Sequence, residues 1–364
     1  MKFNVNRSAI LTSLQSVQAV IPSRPAVPIL ANIYIKAEDG KLEITATDMD
    51  LTVRTVLDAA VSESGVTTLP ARHLVGIFRE LAGDEVRVEV NDKNVAALVA
   101  GATKFHLNGL SESEYPRLPR LSDAKAFSFE CGTFRDMLKL VSYAASTDES
   151  KPYLMGVFMS LRDGKLTVVA SDSRRMALTD HELDFPAGSE VNVIIPSKTV
   201  AELQKTLPDS GELRILVGEK QLAFEFGSTL ILSKRVEGNF PNFSQVIPTM
   251  SNERVSIDRD SFLSALRRAS LMVTEAFNAV KMTFSENKVE FFSTVSEIGA
   301  AHDSLDCKYA GKELSISFNP FFLMDPLKVL EADEVYLDIV DELSPGVIRS
   351  TQNFVYVLMP IRLG

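Results

Sequence analysis

The chain has 364 residues, 45% of them hydrophobic and 24% charged, a length for about two or three domains and a composition that excludes a disordered or fibrous protein. The formal net charge of −10 argues against a simple nucleic-acid coat, although an average of this kind conceals any local basic stripe. No apolar run reaches the ~18 residues of a membrane span; Met1–Arg7 alternates like a strand rather than a signal peptide, and two distant cysteines, Cys131 and Cys307, make neither a disulfide framework nor a cysteine zinc site. A reducing, cytoplasmic setting is expected, with no membrane partner.

Taken in chain order, the elements repeat. A short alternating strand, Phe3–Val5, runs through polar Asn6 into an amphipathic helix carrying Ile10–Val17. Asp39-Gly40 then marks a hairpin turn ahead of the strand Lys41–Asp48. Thr68-Leu69-Pro70 opens a second helix, with Leu74, Ile77, Phe78 and Leu81 at helical spacing. The same landmarks return in Phe127–Phe129 before the helix Phe134–Val141, with a polar start expected at Cys131-Gly132-Thr133. They continue in Asp163-Gly164 before Lys165–Asp172, and in Ile194-Ile195-Pro196 before Val200, Leu203 and Leu207. The last third repeats them as Val255–Ile257 and Asp258 before Phe262–Leu271, Glu286-Asn287 before Lys288–Phe292, and Ser317-Phe318-Asn319-Pro320 before a sixth helix. A proline at a helix start suits the orphan amides there. Tyr115–Pro119 and Phe240–Phe243 punctuate the copies. The fold class is therefore read as α+β: three repeated domains over residues 1–121, 122–248 and 249–364, each with two helices packed on antiparallel sheets. Pro326, inside the last helix, is expected to kink or interrupt a turn.

With helices expected at 7–18, 72–81, 133–145, 197–207, 259–272 and 320–331, the six segments carry 11 basic and six acidic residues. They sum to +5, which leaves −15 for the rest of the chain. Such a split suits a protein with one face toward polyphosphate. No base-reading motif accompanies it, so nucleic-acid contacts are expected at phosphates and blind to sequence. No motif for catalysis appears either. The chain has no phosphate loop, dinucleotide fingerprint or nucleophile elbow, and its four histidines are scattered. Adjacent His302 and Asp303 on a strand point to opposite faces. Asp48-Met49-Asp50 and Asp172-Ser173-Arg174 read as hydrogen-bonding turn residues rather than metal ligands. No catalytic residue, metal or cofactor is expected.

Several ordered pieces resemble the bacterial DNA polymerase sliding-clamp family, the β subunit that confers processivity. They are Arg24-Pro25 with Pro28-Ile29-Leu30 and Asn32, Ala46-Thr47-Asp48, Val169-Ala170-Ser171-Asp172 with Arg175, Phe240-Pro241 followed by Pro248, and the ending Val357–Leu363. The resemblance implies a non-enzymatic, head-to-tail homodimer, a pseudo-sixfold ring around double-stranded DNA, with the replicative DNA polymerase, the clamp loader and other clamp-binding-motif proteins as partners. It places a partner-peptide pocket at Leu154, Ser171, Arg175, Met176, Pro241, Val246, Leu343, Pro345, Val357, Met359, Pro360, Ile361 and Arg362. Arg175 and Arg362 would fix carboxylates or backbone there. It places Arg24 and Lys198 at DNA, while Arg72, Arg79, Arg135, Lys139 and Lys205 are expected there from the helix-face charge. It puts Phe105 and Leu107 opposite Leu271 and Met272 at the subunit interface. Ser173-Arg174 and Gln245 depart from the family's usual Gly-His and arginine, and Gly364 extends past its usual terminal leucine. A monomeric repeat scaffold that binds proteins through short peptides, and an enzyme on a pseudo-threefold scaffold, are the competing readings.

Overall fold

The computed structural model describes residues 1–117, 121, 124–185, 190–248, 253–274, 278–295 and 297–362. Leu118, Pro119, Leu363, Gly364 and the expected junction at 248/249 lie partly or wholly outside them. The first run of elements is β1 (Lys2–Asn6), α1 (Arg7–Gln18), β2 (Asn32–Glu38), β3 (Lys41–Thr47), β4 (Leu51–Asp58), β5 (Ala60–Glu63), β6 (Gly65–Pro70), α2 (Ala71–Glu80), β7 (Glu85–Val90), β8 (Val95–Ala100) and β9 (Thr103–Asn108). The second is β10 (Lys125–Glu130), α3 (Cys131–Val141), β11 (Gly156–Arg162), β12 (Lys165–Ser171), β13 (Arg175–Glu182), β14 (Val191–Pro196), α4 (Ser197–Thr206), β15 (Glu212–Val217), β16 (Gln221–Phe226) and β17 (Thr229–Lys234). The third is β18 (Glu253–Asp258), α5 (Arg259–Ala269), β19 (Val280–Ser285), β20 (Lys288–Val295), β21 (Gly299–Asp306), β22 (Leu314–Phe318), α6 (Pro320–Val329), β23 (Glu334–Ile339), β24 (Gly346–Arg349) and β25 (Phe354–Leu358). The order strand, helix, strands, helix, strands occurs three times.

Local chemistry explains the recurrence. Asp39-Gly40, Asp163-Gly164 and Glu286-Asn287 are two-residue hairpin loops, closed by the pairs Glu38↔Lys41, Arg162↔Lys165 and Ser285↔Lys288. Asp39, Gly40, Asp163, Gly164 and Asn287 all take positive φ, between 50° and 73°, a region that glycine, asparagine and aspartate enter most readily. The helix starts are equally regular. Asn6 accepts the Ala9 amide at 3.0 Å and Asp258 accepts that of Ser261 at 2.8 Å. In the second copy the capping group is the Glu130 carboxylate, which accepts the Thr133 amide. The helix begins at Cys131, fully buried, two residues earlier than the run Cys131-Gly132-Thr133 had suggested. Backbone position is shared too: the amides of Arg7, Cys131 and Arg259 donate to the carbonyls of Asp84, Gly211 and Asp333. Gly132 suits that close approach, since a Cβ there would stand 2.2 Å from the Asp209 carbonyl oxygen. Two of the expected helices end in a different kind of turn. α3 and α5 end at Val141 and Ala269, and each passes into a 3₁₀ turn, Ser142–Ala144 and Ser270–Met272.

The chain divides into two compact units that cut across the second copy. Residues 1–134 with 201–235 hold a five-stranded sheet, β5-β1-β7-β8-β9, and an eight-stranded sheet, β10-β15-β16-β17-β4-β3-β2-β6. In this unit α1 packs on α2, β3 and β4, burying Ile10, Leu14 and Val17 completely. Residues 135–200 with 236–364 hold a second eight-stranded sheet, β14-β11-β12-β13-β25-β24-β23-β18, and a four-stranded sheet, β21-β20-β19-β22. There α5 packs on α6, β20 and β21. Each eight-stranded sheet therefore joins strands of neighbouring copies, through β17–β4 in one unit and β13–β25 in the other.

α6 corrects one expectation. It continues past Pro326 to Val329, and the Leu330 amide bonds to the Pro326 carbonyl at 3.0 Å. A proline deprives the carbonyl four residues earlier of its helical donor. That carbonyl, on Phe322, instead accepts the Tyr356 hydroxyl at 2.8 Å. Tyr356 is fully buried on β25, so the last helix and the final strand are joined by the bond the proline vacated. Tyr356→Phe should cost about 1–3 kcal/mol, the range for a buried acceptor left unpaired. Pro326→Ala restores an amide within reach of the same carbonyl, so the double variant should recover at least about 0.5 kcal/mol relative to additivity. Urea unfolding of the four proteins measures this coupling, and strictly additive losses would refute it.

Candidate partner groove and helix-borne charge

The turn between β12 and β13 is built by side chains. Asp172 Oδ1 accepts the amides of Arg174 and Arg175, both at 2.9 Å, and Ser171 Oγ donates to the Arg175 carbonyl at 2.8 Å while accepting the Ser173 amide. Asp48 and Thr47 make the same bonds before β4. Ser173 has φ of 76°, where glycine sits without strain, so the glycine that the family resemblance leads one to expect would fit this backbone. This turn forms one end of a groove of about 220 Å³. Its floor residues Met176 and Val357 belong to a buried cluster with Val169, Leu178 and Val347, and Phe158 stacks on Phe240 with ring centroids 4.9 Å apart.

Eight of the expected pocket residues line this groove together: Leu154, Ser171, Arg175, Met176, Pro241, Val246, Val357 and Met359. Val246 and Met359 are about half exposed there, at 50% and 49%, as apolar groups awaiting cover. Leu343, Pro345, Pro360, Ile361 and Arg362 do not line it. Leu343 tops the turn held by Asp341, and the Ile361 amide is taken by the Ser317 carbonyl at 2.7 Å. Phe240, Asn242 and Phe243 line the groove and were missed as site residues, and Ser173 and Arg174, singled out as departures from the family, line it too. The signal was present in Phe240 and Phe243, two aromatics flanking Pro241, which the resemblance already places in the pocket.

Arg175 differs from expectation in its task. Its Nε donates to Asp172 at 3.1 Å, Nη1 to Asp325 at 2.6 Å and Nη2 to the Tyr143 carbonyl at 2.8 Å. The guanidinium also lies 4.1 Å from the Phe322 ring centroid. Burial works against its charge, and Tyr356, Asp325 and Asp172 outweigh that, so the proton is held more tightly than in water. Such a committed guanidinium stiffens the groove wall rather than waiting for a ligand carboxylate.

The observed helices keep all 11 basic residues and lose Glu331 from the acidic set. Not all that charge is available. Arg7 and Arg259 bond the carbonyls of Phe78 and Leu327 near the ends of α2 and α6. Arg135, Arg268 and Lys328 pair with Asp136, Asp303 and Asp325. Arg72, Arg79, Lys139 and Lys205 are exposed with no carboxylate in ion-pair distance among the described residues, and Arg24 and Lys198 are exposed as well. His302 and Asp303 do not act together: His302 lies 4.6 Å from the Phe292 ring and Asp303 takes Arg268. Cys131 and Cys307 are buried thiols, and burial pushes Cys307 up to about 11.

Phe105 and Leu107 lie on β9, the edge of the five-stranded sheet. Leu271 and Met272 lie in the 3₁₀ turn after α5, which packs on β21, the edge of the four-stranded sheet. Leu271 is 75% exposed in this turn.

The family models of the DNA polymerase III beta subunit match the chain in sequence: the N-terminal domain at residues 1–119, the central domain at 129–242 and the C-terminal domain at 244–362. The beta sliding clamp of Chlamydia muridarum is 32% identical over 363 residues, covering all of this chain and 99% of the relative. That of Bacillus subtilis is 31% identical over 376 residues, covering both chains fully. The crystal structure of the Bacillus subtilis DNA polymerase sliding clamp superposes with a TM-score of 0.96 at 30% identity, over the whole of both chains. A sliding clamp from Bartonella birtlesii bound to griselimycin matches at 0.95 and 33%, again over both whole chains. Three consecutive domains matched in order, over almost every residue, make this chain a member of the DNA polymerase III beta subunit family, the bacterial sliding clamps.

Proposed function

We propose that two copies of this chain close head to tail into a ring around duplex DNA, and that the ring tethers the replicative DNA polymerase, the clamp loader and other proteins bearing a short clamp-binding motif. The observation that carries this reading is the end-to-end match to sliding clamps. The domains are taken as residues 1–121, 122–248 and 249–364, and the role as non-enzymatic and cytoplasmic. Among the described residues no helix is long and apolar enough to cross a membrane.

Physical features support each part. Exposed Arg24, Arg72, Arg79, Lys139, Lys198 and Lys205 offer phosphate contacts without base readout, and the −10 net charge keeps duplex from the rest of the surface. Edge strands β9 and β21 carry complementary exposed charge, with Lys104 and His106 on one and Asp306 on the other. Two unpaired edges on different sheets close each other when a second copy is added, which removes the liability of an open edge. The groove is apolar, bears two methionines and has polar turn residues at its end, which suits short peptides of varied sequence.

Three measurements test this. Changing Leu271 to Ala and Met272 to Lys removes apolar burial and adds a desolvated charge, so sedimentation should give monomers of 40.0 kDa; a fully dimeric variant would place the interface elsewhere. Removing residues 359–364 leaves β25 intact but takes away Met359, and should abolish binding of polymerase and loader peptides while the dimer persists. Unchanged peptide affinity would sink the pocket assignment. Direct phosphate binding weakens by roughly 10³–10⁵ between about 50 and 200 mM salt when ~6–10 phosphates are contacted. A ring loaded on nicked circular DNA should survive that salt on gel filtration and leave once the circle is linearised, whereas equal retention on both forms would revive the open scaffold.

A further inference from the structure

The partner groove has an internal counterpart in the first unit. Tyr34 pairs with Thr45 on β2 and β3 as Phe158 pairs with Val169 on β11 and β12, in both cases 124 residues apart. Thr52 faces Leu232 across β4–β17 as Met176 faces Val357 across β13–β25. The Lys234 amide donates to the Asp50 carbonyl at 2.9 Å, as the Met359 amide donates to that of Arg174 at 3.0 Å. Met49 holds φ of 81° where Ser173 holds 76°. Tyr115 tilts against Tyr34, centroids 5.4 Å apart, as Phe240 stacks on Phe158.

The counterpart is hollow but polar. Two cavities, of about 200 and about 280 Å³, share Pro116 and Arg117 on their walls. At the turn end, the Asp50–Lys234 ion pair at 2.8 Å replaces the apolar mouth of the other groove. In the larger cavity each substitution favours a ligand rich in donors. Phenylalanines have become tyrosines, and Glu43 and Glu112 outnumber Arg117. Val169 has become Thr45, whose Oγ1 is fully buried, lies in a residue lining the cavity and has no hydrogen-bond partner among the described residues. A buried hydroxyl left unpaired costs about 1–3 kcal/mol, and a ligand donor would recover it. Glu43 already meets Arg54 at 3.6 Å, which leaves Glu112 as the carboxylate open to a ligand cation. An aromatic pair beside carboxylates recognises a planar cation by charge and by stacking on the ring face.

We propose that this polar groove of the first unit is a second docking site, which takes an extended peptide segment by an arginine side chain seated among Tyr34, Thr45, Glu43, Glu112 and Tyr115. It differs from the apolar groove in the chemistry it selects, so one chain presents two non-competing peptide sites. The assignment is independent of ring closure and of DNA.

The test titrates the full chain with fluorescein-labelled Gly-Ser-Arg-Ser-Gly and with the same peptide bearing citrulline, which keeps the shape and removes the charge. Fluorescence anisotropy should show the arginine peptide binding at least about tenfold more tightly, the loss expected when one charge-assisted contact goes. Glu112→Gln, on an exposed turn, and Thr45→Val, which installs the side chain found at the equivalent position Val169, should each weaken binding several-fold; thermal unfolding should be unchanged in the first and no lower than the parent's in the second, where an unpaired buried hydroxyl is removed. Met359→Ala, in the other groove, should leave it intact. Equal affinity for the citrulline peptide, indifference to both first-unit variants, no binding of the arginine peptide, or loss on Met359→Ala would each overturn the proposal.

Discussion

Antiparallel pairing of β13 with β25, from Arg175↔Leu358 to Thr179↔Phe354, is the constraint on which the rest of the second unit depends. It completes an eight-stranded sheet, seats Val357 and Met359 beside Met176, and puts Tyr356 where its hydroxyl reaches the Phe322 carbonyl. Because side chains alternate along a strand, a slip of one residue would turn Val357 away from the groove floor and Tyr356 away from α6. Hence the groove, the last helix and the end of the chain stand or fall with one register.

Arg175 shows how that register is made rigid. It bridges the β12–β13 turn through Asp172, the 3₁₀ turn after α3 through the Tyr143 carbonyl, and α6 through Asp325. Buried ion pairs of this kind add little net stability, because desolvation offsets attraction. Their contribution is geometric: a planar donor with fixed partners admits one arrangement of three elements. The peptide role proposed for the groove gains from such a wall, since less ordering remains to be done on binding.

The first unit repeats the scheme with the polarity changed. β4 and β17 hold the same register, yet Leu51 stands where Arg175 does and Lys234 where Met359 does. The backbone frame is therefore common to both units, and the side chains alone decide which surface each frame presents. Function here lies in what decorates a shared scaffold rather than in the scaffold.

Much of this could be read from the chain before folding. Turn residues with local requirements, such as Asp163-Gly164, and caps such as Asn6 and Asp258, declare themselves because their physics spans only a few residues. Apolar periodicity placed Ile10, Leu14 and Val17 in the core for the same reason. The cap supplied by Glu130 was harder to see, since the strand residue before α3 masks its role in the helix. Family resemblance, not periodicity, pointed to Met176 and Val357 as neighbours. Only the tertiary structure decided that Phe240 walls the groove by stacking on Phe158, that Leu343 and Ile361 stand outside it, and that Arg175 is spent on Asp325, 150 residues away. It also decided the fate of Pro326, whose missing hydrogen bond is made good by a tyrosine from a strand that has not yet begun when the helix ends. Contacts between residues distant in sequence depend on which strands pair and in what register, and no window of a few residues contains that information.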